Sequence, residues 1–117
     1  ASLRTRLHTF LGEALNSVLA NAYRDGNDSM GWHSDNEKEL GELPMVASLS
    51  LGAERRFLVR HRDQRRSSGL KLESGSLLVM ERGCQRIYQH ALPKTRSIND
   101  LRINLTFRNI LNQLTPC

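Results

Sequence analysis

The chain has 117 residues, with 17 Lys or Arg against 12 Asp or Glu and a formal charge of +5. That length holds one domain, taken as 1–117, around one modest core, and the ordinary apolar content excludes wholesale disorder. No run approaches the length of a membrane-spanning helix and no signal-peptide pattern opens the chain; the basic balance suits a polyanionic partner such as nucleic acid, although many basic proteins bind none.

Cys84 and Cys117 show no CxxC or framework spacing, which points to a reducing, intracellular setting, cytoplasmic if the source is bacterial. Trp32 is joined by two tyrosines and three phenylalanines, too few for a repeated base-stacking platform.

In chain order, Leu3, Leu7, Phe10, Leu11 and Ala14 recur at helical spacing. They predict an amphipathic helix over 2–14, within an N-terminal segment 1–15, packed on a sheet with Arg4, Arg6 and His8 pointing elsewhere. Residues 17–24 alternate as a strand with Leu19, Asn21 and Tyr23 on one face, ended by the turn Asp25-Gly26-Asn27-Asp28. Asn21 and Tyr23 can donate hydrogen bonds to a carboxylate ligand inside the sheet, or form a polar strand edge.

The stretch Met30–Glu37 carries the chemistry. His33 and Asp35 stand two apart, so in an extended segment they project from one face. An imidazole and a carboxylate so placed can grip one metal ion, or simply hydrogen-bond at the surface. A second His would complete a 2-His-1-carboxylate facial triad, which leaves open positions on Fe(II) for a co-substrate and O₂.

Beyond a polar loop, Met45–Leu51 closed by Gly52 and Arg55–His61 read as two strands joined in a hairpin around Gly52-Ala53-Glu54. Residues 60–69 form a basic loop. Its Arg60, Arg62, Arg65 and Arg66 either neutralise phosphates or sit at a solvated tip. Leu70–Glu73 and Ser76–Met80 are short strands, Gly83–Arg86 is a turn, and Ile87–His90 is a strand ending in a histidine that is either a satisfied structural residue or the missing third ligand of the triad. Arg102–Arg108 alternates without a fault: Ile103, Leu105 and Phe107 face a core, and Arg102, Asn104, Thr106 and Arg108 face the other way. That second face is either wet or suited to hold a dicarboxylate by fork-on-fork hydrogen bonds. Short strands separated by turns predict a mainly β fold, an antiparallel sandwich or jelly roll with a mouth in which a metal can sit.

The ordered set Asn21-x-Tyr23, His33-x-Asp35-x-Glu37, His90 ahead of Leu92-Pro93, and Arg102-x-Asn104-x-Thr106-Phe107-Arg108 resembles the AlkB-type dioxygenases. Asp28–Asp35 and Ala47–Ala53 are similar to the branch containing the animal demethylases of DNA and RNA. The match runs from about residue 16 to 110, and its strength lies in the order of motifs, each weak alone.

The resemblance implies a double-stranded β-helix (jelly roll, cupin-like) over 16–112 with one N-terminal helix packed on the sheet. It implies Fe(II), held by His33, Asp35 and His90 as the catalytic metal ligands, with 2-oxoglutarate and O₂ as co-substrates. Asn21, Tyr23, Arg102, Asn104 and Arg108 would hold 2-oxoglutarate, Arg102 at the distal carboxylate and Arg108 nearer the metal-bound end. Glu37 matches a position near the target base. The implied reaction removes N-methyl lesions of the 1-methyladenine and 3-methylcytosine type from DNA or RNA, releasing succinate, CO₂ and formaldehyde. The implied partner is methylated, single-stranded nucleic acid, met by a monomer with no membrane association.

Family members carry an N-terminal lid over the flipped nucleotide. This chain begins one short helix ahead of the Asn-x-Tyr strand, so the expectation is a catalytic core without that lid. Two other readings stand beside it: the same iron chemistry on a substrate other than nucleic acid, or a non-catalytic basic β-domain that binds nucleic acid.

Overall fold

The computed structural model of the chain describes residues 2–12, 15–41 and 43–110, with Arg4 as backbone only. Ser2 starts the first helix, α1 (Leu3–Leu11), where its hydroxyl accepts from the Thr5 N–H at 3.2 Å, satisfying one of the free donors of a helix start. Gly12 ends α1 at φ 71° and its N–H donates to the His8 carbonyl at 2.8 Å, a left-handed cap that glycine adopts without a Cβ clash. The helix is therefore shorter than predicted; Ala14 and Cys117 lie outside the described residues. Leu7 is buried and Leu11 packs beside it, but Leu3 and Phe10, expected on the packed stripe, are exposed, Phe10 by 76%.

Eight strands follow: β1 (Ser17–Tyr23), β2 (Met30–His33), β3 (Val46–Gly52), β4 (Arg55–His61), β5 (Ser68–Leu72), β6 (Leu77–Met80), β7 (Tyr88–Leu92) and β8 (Arg102–Arg108). They form two four-stranded sheets, ordered β1-β8-β3-β6 and β2-β7-β4-β5, with every pairing antiparallel. Except at the β4–β5 hairpin, the chain changes sheet with each successive strand. This is the expected double-stranded β-helix. Leu7 and Leu15 pack on Ala47 of β3 and Phe107 of β8, placing α1 on the outer face of the first sheet.

The predicted hairpin of β3 with β4 is corrected. β3 pairs with β6 and β8, whereas β4 pairs with β5 and β7 in the other sheet. Gly52 keeps its pairing with Arg102. It sits at φ 91°, with the Leu101 carbonyl filling the space a Cβ would need. Ala53 N–H then donates to that same carbonyl at 2.9 Å. The chain is thus held against β8 to the last residue of β3 and turns a corner between sheets. A glycine between two apolar runs signals a reversal, but not which strand receives the next segment.

The hairpin is instead β4–β5, registered from Arg55↔Leu72 to Val59↔Ser68. Arg60 and His61 belong to β4, and Ser68 and Gly69 to β5, so the basic loop narrows to 62–67. Arg60 and Arg62 are occupied within the fold. The Arg60 guanidinium lies 4.0 Å over the Trp32 ring, and Arg62 donates to the carbonyls of Gln85 and Arg86. The predicted turn at 83–86 closes into a one-turn helix, α2 (Cys84–Ile87), entered through Gly83 at φ 90°.

β8 lies between β1 and β3, so both its edges are hydrogen-bonded. Leu105 and Phe107 face α1. The opposite face, carrying Arg102, Asn104, Thr106 and Arg108, looks into the space between the sheets rather than into solvent; Arg102 is 2% exposed.

Candidate active site

His33 and His90 are directly paired across β2 and β7, and residues opposite each other in an antiparallel pair project from one face. Their rings meet edge-on with centroids 4.3 Å apart. A register shift in β2 between Met30 and His33 re-aims the end of that strand, a common use of a bulge beside a site. Asp35 lies just past the strand. Its Oδ2 is 3.9 Å from His90 Nε2, and one ligand atom from each of His33, Asp35 and His90 lies within 4.8 Å of the others.

Local hydrogen bonds fix this segment. His33 Nδ1 lies 2.7 Å from the Gly31 carbonyl; a carbonyl only accepts, so Nδ1 carries the proton and Nε2 keeps its lone pair. Ser34 Oγ donates to the Tyr88 carbonyl at 2.7 Å and accepts from Arg62 at 2.8 Å. The Asp35 N–H donates to Gln85 Oε1 at 2.8 Å. Burial, then the neighbouring His33, hold the His90 imidazole down to about 4, so it is neutral at physiological pH, the form that binds a metal. Burial pushes the Asp35 carboxyl up from its ordinary value. Nδ1 of His90 is buried with no partner. Two imidazoles and a carboxylate converging on one point are the donor set of a facial triad, and these residues fit a divalent metal.

Beside them, the inner face of the first sheet is polar. Register places Tyr23 and Gly52 beside Arg102, Asn21 and Ser50 beside Asn104, and Leu19 and Ser48 beside Thr106. Arg102 donates to Ser50 Oγ at 2.9 Å and to Asn104 Oδ1 at 3.4 Å. Ser48 donates to the same Asn104 oxygen at 2.6 Å, and Asn104 Nδ2 donates to Thr106 Oγ1 at 2.9 Å. Burial lowers the Arg102 guanidinium from its ordinary range, with Tyr23 acting in the other direction; its centre lies 5.2 Å from the Tyr23 ring. Among the described residues no carboxylate forms an ion pair with Arg102. Among the described residues the buried Nε of Arg102 and that of Arg108 have no hydrogen-bond partner. A buried cation with spare donors and no counter-charge is set up to receive an anion.

Both clusters open on one cavity of about 200 Å³, walled on its apolar side by Phe57, Leu72, Met80 and Leu92. Glu37 is at its rim, with Oε1 3.3 Å from Arg108 Nη1 and its side chain half exposed.

The sequence pattern of the 2OG-Fe(II) oxygenase superfamily matches residues 2–108. The chain belongs to that superfamily. Within it, the chain is 40% identical over 118 residues to the rat alpha-ketoglutarate-dependent dioxygenase alkB homolog 3, covering 93% of this chain and 40% of that protein. It is 39% identical over 117 residues to the human DNA oxidative demethylase ALKBH2, covering 93% of this chain and 45% of that protein. The solved structure of OsALKBH1 superposes with a TM-score of 0.63 at 28% identity, over 79% of this chain and 47% of that one. The chain thus spans less than half the length of these relatives, and the AlkB resemblance is borne out over that span.

Every residue the sequence singled out for this superfamily's chemistry lines the one cavity: Asn21, Tyr23, His33, Asp35, Glu37, His90, Arg102, Asn104 and Arg108. Sequence reading missed Ser48, Ser50 and Gln85. The first two had a signal, since two serines at alternate positions in an otherwise apolar strand mark a polar inner face. Gln85 had none, because the Asp35 N–H it anchors is 50 residues away in the chain.

Proposed function

We propose that this chain carries the catalytic core of an Fe(II)- and 2-oxoglutarate-dependent oxygenase that demethylates N-methylated bases in DNA or RNA. The observation that carries the reading is the meeting, in one cavity, of the His33–Asp35–His90 cluster with a buried Arg102 that has no carboxylate partner among the described residues.

In this reading His33, Asp35 and His90 hold iron. With 2-oxoglutarate and O₂ it supplies the oxidation that turns an N-methyl group into an N-hydroxymethyl group, lost as formaldehyde, with succinate and CO₂ as co-products. The chain's own residues bind and position. Arg102 takes the distal carboxylate of 2-oxoglutarate in a two-pronged grip that a lysine cannot reproduce. Asn104 and Asn21 flank it with amide donors, Tyr23 with a phenol, and Arg108 lies nearer the metal-bound end. Phe57, Leu72, Met80 and Leu92 keep water from that side of the cavity. Glu37 at the rim offers a carboxylate to a base that carries positive charge from N-methylation. The formal charge of +5 and the name of the ALKBH2 relative support a nucleic-acid substrate, single-stranded in our reading; we read the protein as an intracellular monomer.

The test is product formation. The protein is incubated with Fe(II), 2-oxoglutarate, ascorbate and a single-stranded oligonucleotide bearing 1-methyladenine or 3-methylcytosine. Formaldehyde and restored base well above a no-enzyme control are expected. Background formaldehyde from folded, iron-loaded protein overturns the demethylase reading. Succinate formation that nucleic acid does not stimulate points to another substrate.

A further inference from the structure

Gln85 is 2% exposed and sits on the one-turn helix α2, which runs directly into β7. Its single amide oxygen makes two contacts. It accepts the Asp35 backbone N–H at 2.8 Å and lies 3.3 Å from His90 Nε2. The amide nitrogen meets only Met80 Sδ, at 3.4 Å, a weak acceptor. The orientation of the amide follows from chemistry, because a backbone N–H can only donate and so faces the oxygen. α2 is itself held. Arg62 donates to the Gln85 carbonyl at 2.7 Å and the Arg86 carbonyl at 2.8 Å, and reaches Ser34 Oγ at 2.8 Å. Asp35 follows the last residue of β2 by two positions and no strand ladder holds it. Without an external anchor its backbone would be the loosest of the three.

We infer that Gln85 is a positioning residue of the metal site, whose oxygen anchors the Asp35 backbone N–H before metal arrives. The inference rests on the reading of His33, Asp35 and His90 as metal ligands. Groups that hold ligands from behind commonly change metal affinity by about 10- to 100-fold when removed.

The experiment is anaerobic titration of the metal-free protein with Co(II) and Mn(II), followed by calorimetry and by the Co(II) absorption bands, beside a thermal melt of each metal-free variant. Gln85→Leu, which keeps the volume and removes the oxygen, is expected to bind about 10- to 100-fold more weakly and to show altered Co(II) bands. Gln85→Glu keeps an oxygen at that point and is expected to stay within a few-fold of wild type. A purely packing role would lower the melt of the variants and leave the affinity of the folded protein unchanged. Wild-type affinity in folded Gln85→Leu therefore overturns the inference. If Gln85→Leu does not fold, Gln85→Asn, whose oxygen is drawn back by one methylene, decides by the same criterion. If wild type binds neither metal, or His33→Ala binds as tightly as wild type, the ligand reading itself fails and takes the inference with it.

Discussion

His33 and His90 face each other directly across β2 and β7, rings 4.3 Å apart, although four other strands lie between them in the chain. The His33–Asp35–His90 cluster proposed to hold metal is therefore a property of strand pairing. Two of its members are fixed by one antiparallel ladder, whereas the Asp35 backbone is held by the side chain of Gln85. This division of labour sets the expected effect of each substitution.

Asp35→Ala is expected to abolish turnover and weaken metal binding while leaving the metal-free melt nearly unchanged. Burial already makes the charged carboxylate unfavourable there, so its removal relieves a desolvation cost. Formaldehyde release and a thermal melt check this. A large fall in the metal-free melting temperature would mean that the residue is structural.

Arg102→Lys is expected to lose 2-oxoglutarate affinity by about 1.5–3 kcal/mol, the worth of hydrogen bonds to a charged partner, because an ammonium cannot fork. Arg108→Ala is expected to weaken 2-oxoglutarate more than metal. Titration of 2-oxoglutarate into Mn(II)-loaded protein measures both. Equal loss of metal and 2-oxoglutarate in Arg108→Ala contradicts the position given to it.

Arg55 is as buried as Arg102, at 2% exposure, but is spent differently. It donates to the carbonyls of Asp25, Asp28 and Pro93 at 3.1, 2.9 and 2.8 Å, binding the turn after β1 to the segment after β7. Arg55→Met takes its donors from three carbonyls, of which that of Asp25 still accepts the Asp28 N–H, and is expected to destabilise the fold by at least about 2 kcal/mol, read by urea unfolding. A smaller effect than that of Arg102→Met would reverse this assignment.

Gly52→Ala is expected to cost about 1–3 kcal/mol. The position combines φ 91° with the Leu101 backbone carbonyl where the methyl would go. Gly75 is the control, with φ 85° and open space around it, so Gly75→Ala carries the backbone strain alone. Equal costs at the two sites in urea unfolding would show that the close approach at the corner is unimportant.

The metal-free protein should respond to acid through His90. Its folded value of about 4 lies below the ordinary 6.5. The unfolded chain takes up the proton first, and stability is lost as pH falls from about 6.5 to about 4. Asp35, raised by burial, acts in the opposite sense: the folded state holds that proton more tightly and gains on acidification. The difference between wild type and His90→Gln isolates the histidine. A flatter stability profile in the variant over that window is expected, and identical profiles would contradict it.

Periodicity and residue chemistry made much of this protein readable in one dimension. Strict alternation in Arg102–Arg108 gave β8 its bounds and separated Leu105 and Phe107 from Arg102 and Asn104. The His33-x-Asp35 spacing and a strand-borne His90 named the metal cluster, because a facial triad needs those atom types whatever the fold. The corner at Gly52 was not readable. A local turn signal is the same for a hairpin and for a change of sheet, and the choice is made by hydrogen bonds to Leu101, far along the chain. Nor did sequence separate Arg55, spent on three backbone carbonyls, from Arg102, whose partners are the Ser50 and Asn104 side chains on the cavity wall. Local sequence determines which way a side chain points along its own strand. What it meets there, whether a distant carbonyl, a serine from a neighbouring strand or the oxygen of Gln85, is decided only when the two sheets close on each other.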